Sequence, residues 1–135
     1  MAPCGGEANW ASFIEVLKGL EGPVHLTFDI DGLDGTLVPA TGTPVPGGLS
    51  YWHAVQAIEA VFSASKATVI SADVNEIARQ DGTPLTQFTA AMVATKIVGA
   101  HVSARRAGRW EKAAAGRAGA RTPLNRHTFT QGAPN

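Results

Sequence analysis

The alternation of apolar and polar positions predicts helices and strands in turn along the chain. From Ala8 to Leu20 the large apolar residues recur at steps of three and four, which draws one face of a helix, and Gly22 with Pro23 ends it. The run from Val24 to Ile30 is rich in β-branched and aromatic residues and has the length of a strand. The first two predicted elements are therefore a helix and a buried strand.

The same alternation continues after residue 50. Ser50 is a predicted N-cap for a helix with an apolar stripe of Tyr51, Ala54, Val55, Ile58, Val61 and Phe62. A strand is predicted from Lys66 to Asp73. After Gly82, Thr83 is the predicted N-cap of a third helix with Pro84 at its first position, and helical spacing continues through Leu85, Phe88, Met92 and Thr95.

Strands that alternate with helices are joined by right-handed crossovers into a parallel sheet. Two strands are few for three helices, because a parallel sheet is normally covered on both faces. The predicted fold class is therefore α/β, as part of a three-layer α-β-α arrangement with parallel strands.

Charge and composition change near residue 104. Residues 1–104 carry four Lys and Arg against ten Asp and Glu, whereas residues 105–135 carry seven against one and are dominated by Ala, Gly and Arg. A segment of this composition buries too little apolar surface to offset its ordering entropy. We predict a first unit over residues 1–104 and a disordered, basic, low-complexity tail over residues 105–135, solvated and without a nucleic-acid partner.

Cysteine usage and hydropathy bear on the compartment. The single cysteine, Cys4, rules out an internal disulfide and fits a reducing environment. No run approaches the length of a membrane span, and the N-terminus lacks the layout of a secretory signal. We expect a soluble, cytoplasmic protein with no membrane partner.

Asp29 and Asp31 stand at the end of the first predicted strand, before a loop rich in Gly and Pro. Because side chains alternate across a strand, we expect Asp29 and Asp31 to point the same way, at the sheet edge where α/β proteins bind ligands. Two such carboxylates repel each other unless a cation neutralises them, and a hard divalent metal suits oxygen ligands. The alternative is that they are turn formers, since Asp before Gly is common in loops.

The stretch "TFDIDGLDGTLVPATGTPVPGGLSY", residues 27–51, closely resembles the ureohydrolases, the arginase and agmatinase family, whose pattern is "S-F-D-[IV]-D-x-L-D-P" followed by "P-[AG]-T-G-T-P-x-x-G-G-L-[ST]-[YF]". Gly35 stands where the family has proline, so we expect a looser turn after Asp34. A second resemblance, to the "DxDGT" of haloacid-dehalogenase-like phosphatases, places Leu33 where that signature needs threonine.

The ureohydrolase resemblance implies specific site residues. Asp29 and Asp31 would be ligands of a binuclear Mn²⁺ centre, with Asp29 bridging both ions, and Thr43 would lie beside the substrate guanidinium. The segment "SADVNEIARQDG" is similar to the family's "DxxEVNP", whose glutamate grips the guanidinium; this aligns Glu76 with that role, or Asp73 if the alignment shifts by three. The family's other metal ligands come from an N-terminal half that has no counterpart in these 135 residues.

The resemblance implies a hydrolase acting on linear amidines, and it covers about residues 8–100 as the C-terminal portion of a ureohydrolase. With two of the expected metal ligands, the chain is predicted to be inactive alone, with a guanidino small molecule as its substrate class. We expect it to form a homo-oligomer or to associate with the missing half. The alternatives are a phosphatase of the haloacid-dehalogenase type and a noncatalytic partner of a full-length paralogue.

Overall fold

The structure is a computed structural model that describes residues 6–79 and 82–110. Three helices alternate with two strands, as predicted, and a short 3₁₀ turn follows the first strand. The elements are α1 (Gly6–Lys18), β1 (Glu21–Asp29), the 3₁₀ turn (Ile30–Gly32), α2 (Tyr51–Ser63), β2 (Lys66–Asn75) and α3 (Leu85–Arg106). The α/β class with parallel strands is therefore confirmed.

The sheet has two parallel strands, and its register changes once along its length. Glu21 to Val24 pair with Lys66 to Val69, but the next pair is His25 with Ser71. Ile70 is the extra residue of a β-bulge, and its side chain is exposed. From there the strands stay in register to the last pair, Asp29 with Asn75.

The helices cover one face of this sheet. Val24, Leu26 and Phe28 of β1 pack against the core cluster, which is formed by residues of α2 and α3, the loop after β1 and Val69 of β2. The side chains that alternate with them on β1 are exposed. Within the described residues the sheet and one helical layer are thus present, which is part of a three-layer fold.

The long loop between the 3₁₀ turn and α2 belongs to the core. Ile30, Leu33 and Val38 are fully buried and contact the same cluster as Ile58 and Val93. The buried hydroxyl of Thr86 in α3 accepts a 2.8 Å hydrogen bond from the Ala40 N–H. The loop is therefore anchored to α3 by apolar packing and by a buried polar contact.

The predicted cap of α2 is confirmed, whereas that of α3 is displaced by one residue. Ser50 Oγ accepts a 3.1 Å hydrogen bond from the His53 N–H. In α3, Pro84 occupies the cap position and the helix begins at Leu85, whose N–H donates to Thr83 Oγ1 at 3.3 Å. The helix thus begins one residue later than predicted. The Thr83 hydroxyl still accepts a hydrogen bond from one of the N–H groups that have no partner within the helix.

The buried side of α3 differs from the predicted apolar repeat. The helix buries Thr86, Ala90, Val93, Ile97 and Ala104, whereas Leu85, Phe88, Met92 and Thr95 are exposed. The large apolar side chains are not the ones that pack, because α3 meets α2 and β2 closely through its small and β-branched residues. The prediction of a helix was correct. The apolar repeat on which it was based lies on the exposed side of α3, not on the buried side.

Contacts with the body of the domain continue beyond the predicted boundary at residue 104. The α3 helix ends at Arg106, after which Arg109 Nη1 donates to the Phe62 carbonyl at 3.0 Å and the Trp110 ring lies 4.4 Å from that of His101. Residues 111–135 of the predicted tail lie outside the described residues. No helix within the described ranges is long and apolar enough to cross a membrane.

Candidate functional site

Asp29 and Asp31 flank the point where β1 changes into the 3₁₀ turn. Asp29 is the last strand residue and is exposed, while Asp31 is the middle residue of the turn and is half-buried. Strand alternation therefore does not extend to Asp31, and that part of the sequence argument was wrong, because the backbone leaves the extended conformation at Ile30. Both carboxylates nevertheless remain at the carboxyl end of β1, the expected edge.

Thr43 lies against the second of these aspartates. Its hydroxyl donates a 2.6 Å hydrogen bond to Asp31 Oδ2. The Asp29 carboxylate makes no hydrogen bond or ion pair with the described residues. The structure thus brings Asp31 and Thr43 into contact and leaves the oxygens of Asp29 available.

The loop that carries Thr43 is held by a third aspartate, Asp34. One of its oxygens accepts from the N–H and the hydroxyl of Thr36, and the other accepts from the Gly47 N–H at 2.7 Å. These hydrogen bonds, first those of Thr36 and then that of Gly47, hold the pKa of Asp34 below its ordinary value of 3.8. Through these hydrogen bonds Asp34 connects the beginning of the loop, at Thr36, with its end, at Gly47.

Two glycines allow the loop to close. A Cβ at Gly48 would lie only 2.5 Å from the Leu33 carbonyl carbon, so no other residue fits without moving the backbone. The Gly35 N–H donates to the Val45 carbonyl at 2.8 Å, a bond that proline could not make. Glycine at this position thus adds a hydrogen bond across the loop that the family's proline would lack, and the looser turn after Asp34 stays a prediction.

Glu76 approaches this loop from the end of β2. It is exposed, and its backbone is in the left-handed region at φ 61°, which is uncommon for a residue with a side chain. A methyl group at Gly42 would lie 3.8 Å from Glu76 Oε2, and the Ala78 N–H donates to the Ala40 carbonyl at 3.0 Å. Glu76 thus lies beside the stretch that contains Thr43.

Asp73 occupies a different position, on the open face of the sheet. Its Oδ1 accepts from Thr27 Oγ1 and from Asn75 Nδ2, each at 2.7 Å, and its Oδ2 lies 3.0 Å from His25 Nε2. His25 Nδ1 is also 2.7 Å from Ser71 Oγ. We call these five residues, His25, Thr27, Ser71, Asp73 and Asn75, the polar cluster.

The polar cluster was not predicted as a unit. His25 lies on the same side of β1 as Asp29, both of its ring nitrogens have partners, and its side chain is half exposed. Alternation placed His25, Thr27 and Asp29 on one face of β1. The matching residues of β2 could not be identified from sequence, because the bulge at Ile70 reverses their alternation.

The carboxylates at this edge of the sheet are the type of ligand that a hard divalent cation prefers, but there are too few of them to complete a metal site. Asp29 and Asp31 offer carboxylate oxygens. Among the described residues, no group of three or more His, Cys, Asp and Glu side chains could hold a metal ion. Two carboxylates are an incomplete site, and no reaction step can be assigned to a metal held by these residues alone.

The chain matches the model of the arginase family over residues 5–99. It is 35% identical to an agmatinase from Pyrococcus horikoshii over 91 residues, 67% of this chain and 31% of the relative. It is 40% identical to an N(1)-aminopropylagmatine ureohydrolase from Thermus thermophilus over 84 residues, 62% of this chain and 26% of the relative. These matches favour the ureohydrolase prediction over the phosphatase alternative.

Solved structures give the same result. A hypothetical agmatinase from Burkholderia thailandensis superposes with a TM-score of 0.62 at 35% identity, covering 77% of this chain and 33% of that one. An arginase from Bacillus caldovelox superposes with a TM-score of 0.56 at 32% identity, covering 70% and 31%. The chain spans about a third of the length of these relatives, as expected for a portion of their domain. This chain belongs to the arginase family.

Proposed function

We propose that this chain supplies the C-terminal part of a manganese-dependent ureohydrolase domain, which hydrolyses a C–N bond of a guanidino or amidino group. The observation that supports this most is the contact of Thr43 with Asp31 at the carboxyl edge of β1, within the segment that matches the family. The rest of the domain would come from elsewhere in a longer chain or from a second polypeptide.

Asp29 and Asp31 are the proposed metal ligands. Asp29 has no partner among the described residues, so both of its oxygens would be available to hold a metal. Asp31 has one oxygen engaged by Thr43 and the other available. A bound Mn²⁺ pair would supply an activated water for attack on the guanidinium carbon. Because the remaining ligands are not among the described residues, we propose that residues 1–135 alone are inactive.

Two carboxylates are candidates for holding the substrate cation. Glu76 lies beside the Thr43 loop with a left-handed backbone, a conformation that often marks a functional position. Asp73 lies on the same face of the sheet as Asp29, and three donors fix its orientation. A guanidinium needs a carboxylate in fork geometry, which either residue can offer. Glu76 is the assignment made from sequence, and Asp73 is the competing one.

The test is complementation. Residues 1–135 are coexpressed with the Burkholderia thailandensis agmatinase from which the matching third has been deleted. We expect urea release from agmatine or arginine only when both parts are present. Asp29→Asn should abolish release together with bound Mn²⁺, because an amide is a neutral and poorer bridging ligand. The control is Glu21→Gln. Glu21 forms an exposed ion pair with Lys66 at the far end of the sheet, so this variant should leave urea release unchanged.

The substrate carboxylate is identified in the same assay. Replacing the correct residue, by Glu76→Gln or Asp73→Asn, should raise KM and leave Mn²⁺ content unchanged, since a charge-assisted pair becomes a neutral one. An active complex in which Asp29→Asn keeps full Mn²⁺ and full turnover would show that the aspartates serve only the turn. A soluble complex without urea release would favour the noncatalytic alternative.

A further inference from the structure

The bulge at Ile70 decides where Asp73 points. Val24 and Val69 are paired and face the helices. Without the extra residue, Thr27 would pair with Ala72 and Asp73 would lie opposite Phe28, on the helix-covered face. With it, Asp73 pairs with Thr27 on the open face, which also carries Asp29. Bulges are enriched beside active sites, where they redirect a side chain in this way.

The contacts of His25 determine its tautomer. An ionised carboxylate only accepts hydrogen bonds, so the 3.0 Å contact to Asp73 Oδ2 requires the proton on Nε2. In the neutral ring Nδ1 is then an acceptor, and the hydroxyl of Ser71 must donate to it across 2.7 Å. Ser71 therefore orients His25, and His25 orients Asp73.

The two oxygens of Asp73 are held from opposite sides. Thr27 and Asn75 donate to Oδ1, and Asn75 also donates to Thr27 Oγ1 at 3.1 Å. Among the residues that the structure describes, His25 is the one that contacts Oδ2. All these donors are neutral when His25 is neutral. The cluster therefore fixes the plane of the half-exposed carboxylate, and the described residues provide no permanent counter-ion for its negative charge.

We propose that His25 is a positioning residue for the Asp73 carboxylate, held in one tautomer by Ser71 and placed opposite it by the bulge at Ile70. This inference rests on the proposed function in one respect, that Asp73, the competing candidate to Glu76, is the carboxylate that presents its charge to the substrate cation. A preoriented carboxylate loses little freedom when a planar cation binds, which is the advantage of preorganisation. The cluster is unlike a Ser-His-Asp hydrolytic triad, in which the serine contacts Nε2 and the aspartate contacts Nδ1.

The first test reads the tautomer in residues 1–135. Long-range ¹H–¹⁵N spectra are recorded at alkaline pH, so that the neutral form of the ring is observed. The His25 ring, assigned from its absence in His25→Phe, should carry its proton on Nε2 and none on Nδ1. Ser71→Ala and Asp73→Ala should each shift the ring towards a mixture of tautomers. An Nδ1–H tautomer, or one indifferent to both variants, would overturn the proposal.

The second test uses the complemented enzyme. His25→Phe should raise KM by about tenfold, the effect of losing a hydrogen bond to a charged group, with a smaller change in kcat. His25→Gln, whose amide can donate to Asp73, should recover much of the loss. Glu21→Gln is the matched control on the same two strands. Equal effects of Phe and Gln, or an effect on kcat alone, would overturn the positioning role.

The two tests separate the two ideas. If no urea is released from any complex, the proposed function fails, but the tautomer in residues 1–135 still decides whether His25 orients Asp73. If the complex is active and the tautomer is not fixed, the positioning role fails while the proposed function stands.

Discussion

The hydroxyl of Thr43 donates to Asp31 Oδ2 across 2.6 Å and joins the middle of the long loop to the turn that ends β1. Two residues earlier, Thr41 has its hydroxyl buried without a hydrogen-bond partner among the described residues. The two threonines of one short motif thus differ in their energetic roles. Thr43 holds the loop to the turn, whereas Thr41 buries an oxygen that has no partner among the described residues.

Replacing each threonine by valine should therefore give opposite results. Thr43→Val should lower the free energy of unfolding by about 1 kcal/mol through loss of the hydrogen bond. Thr41→Val should be neutral or stabilising, since it removes a buried polar atom that has no partner. Urea denaturation of both variants measures the difference, and equal losses would contradict the assignment.

Gly48 is predicted to be intolerant of any side chain. Gly48→Ala places a Cβ 2.5 Å from backbone carbon of Leu33, so the loop must shift, at a cost of about 1 to 3 kcal/mol. Gly32→Ala is the matched control, because nothing lies within 4 Å of the added methyl group, and it should change stability by less than about 0.5 kcal/mol. Thermal unfolding of the two variants measures the difference in stability. If Gly48→Ala is as stable as Gly32→Ala, the loop is not closely packed at residue 48.

Asp34 should make stability depend on pH in the acid range. Its hydrogen bonds to Thr36 and Gly47 hold its pKa below 3.8, so the unfolded chain binds the proton more readily than the folded one. The stabilisation is complete well above 3.8 and is lost as the pH falls from there through the lower native pKa. Asp34→Asn should flatten this part of the profile, measured by urea denaturation at a series of pH values. Thr36→Ser, which keeps both donors to Asp34, should retain the wild-type slope.

The order of elements and the location of Asp29 and Asp31 at the end of β1 followed from sequence because they depend on local patterns. The periodicity of α1 and α2, the cap at Ser50 and the β-branched runs each act over a few residues. The face that β2 presents after Val69 depended on the extra residue Ile70, which no pattern marks. The orientation of Asp31 depended on where β1 ended, and strand and helix ends are the least predictable features of a sequence.

The buried side of α3 was predicted wrongly for a related reason. Its large apolar residues and its small ones each repeat at helical spacing, so periodicity alone allows two opposite buried faces. The choice between them was made by close packing against α2 and β2, a tertiary effect. Glu76 lies beside Gly42 with a left-handed backbone angle that sequence does not specify.

Manganese binding should be weak in residues 1–135. A stable site of this kind takes about six oxygen or nitrogen ligands with supporting contacts, and the described residues offer the carboxylates of Asp29 and Asp31. Isothermal titration with Mn²⁺ should give at most weak binding, abolished by Asp29→Asn with Asp31→Asn. Submicromolar affinity would show that further ligands lie in this chain and that the site is more complete than the described residues indicate.

The exposed apolar surface of α3 should drive association of the chain without contributing to its core. Phe88 is 67% and Met92 50% exposed, whereas Val93 on the same helix is fully buried. Phe88→Gln with Met92→Gln should reduce concentration-dependent association in sedimentation velocity, because a large exposed apolar patch is removed. The same double variant should change the free energy of unfolding by no more than about 1 kcal/mol, as expected for two surface positions. Val93→Gln should lower it by about 2 kcal/mol or more, since it places an unpaired amide in the core. If the double variant is destabilised as strongly as Val93→Gln, these side chains pack against the domain, and the predicted repeat, not the observed one, marks the buried face of α3.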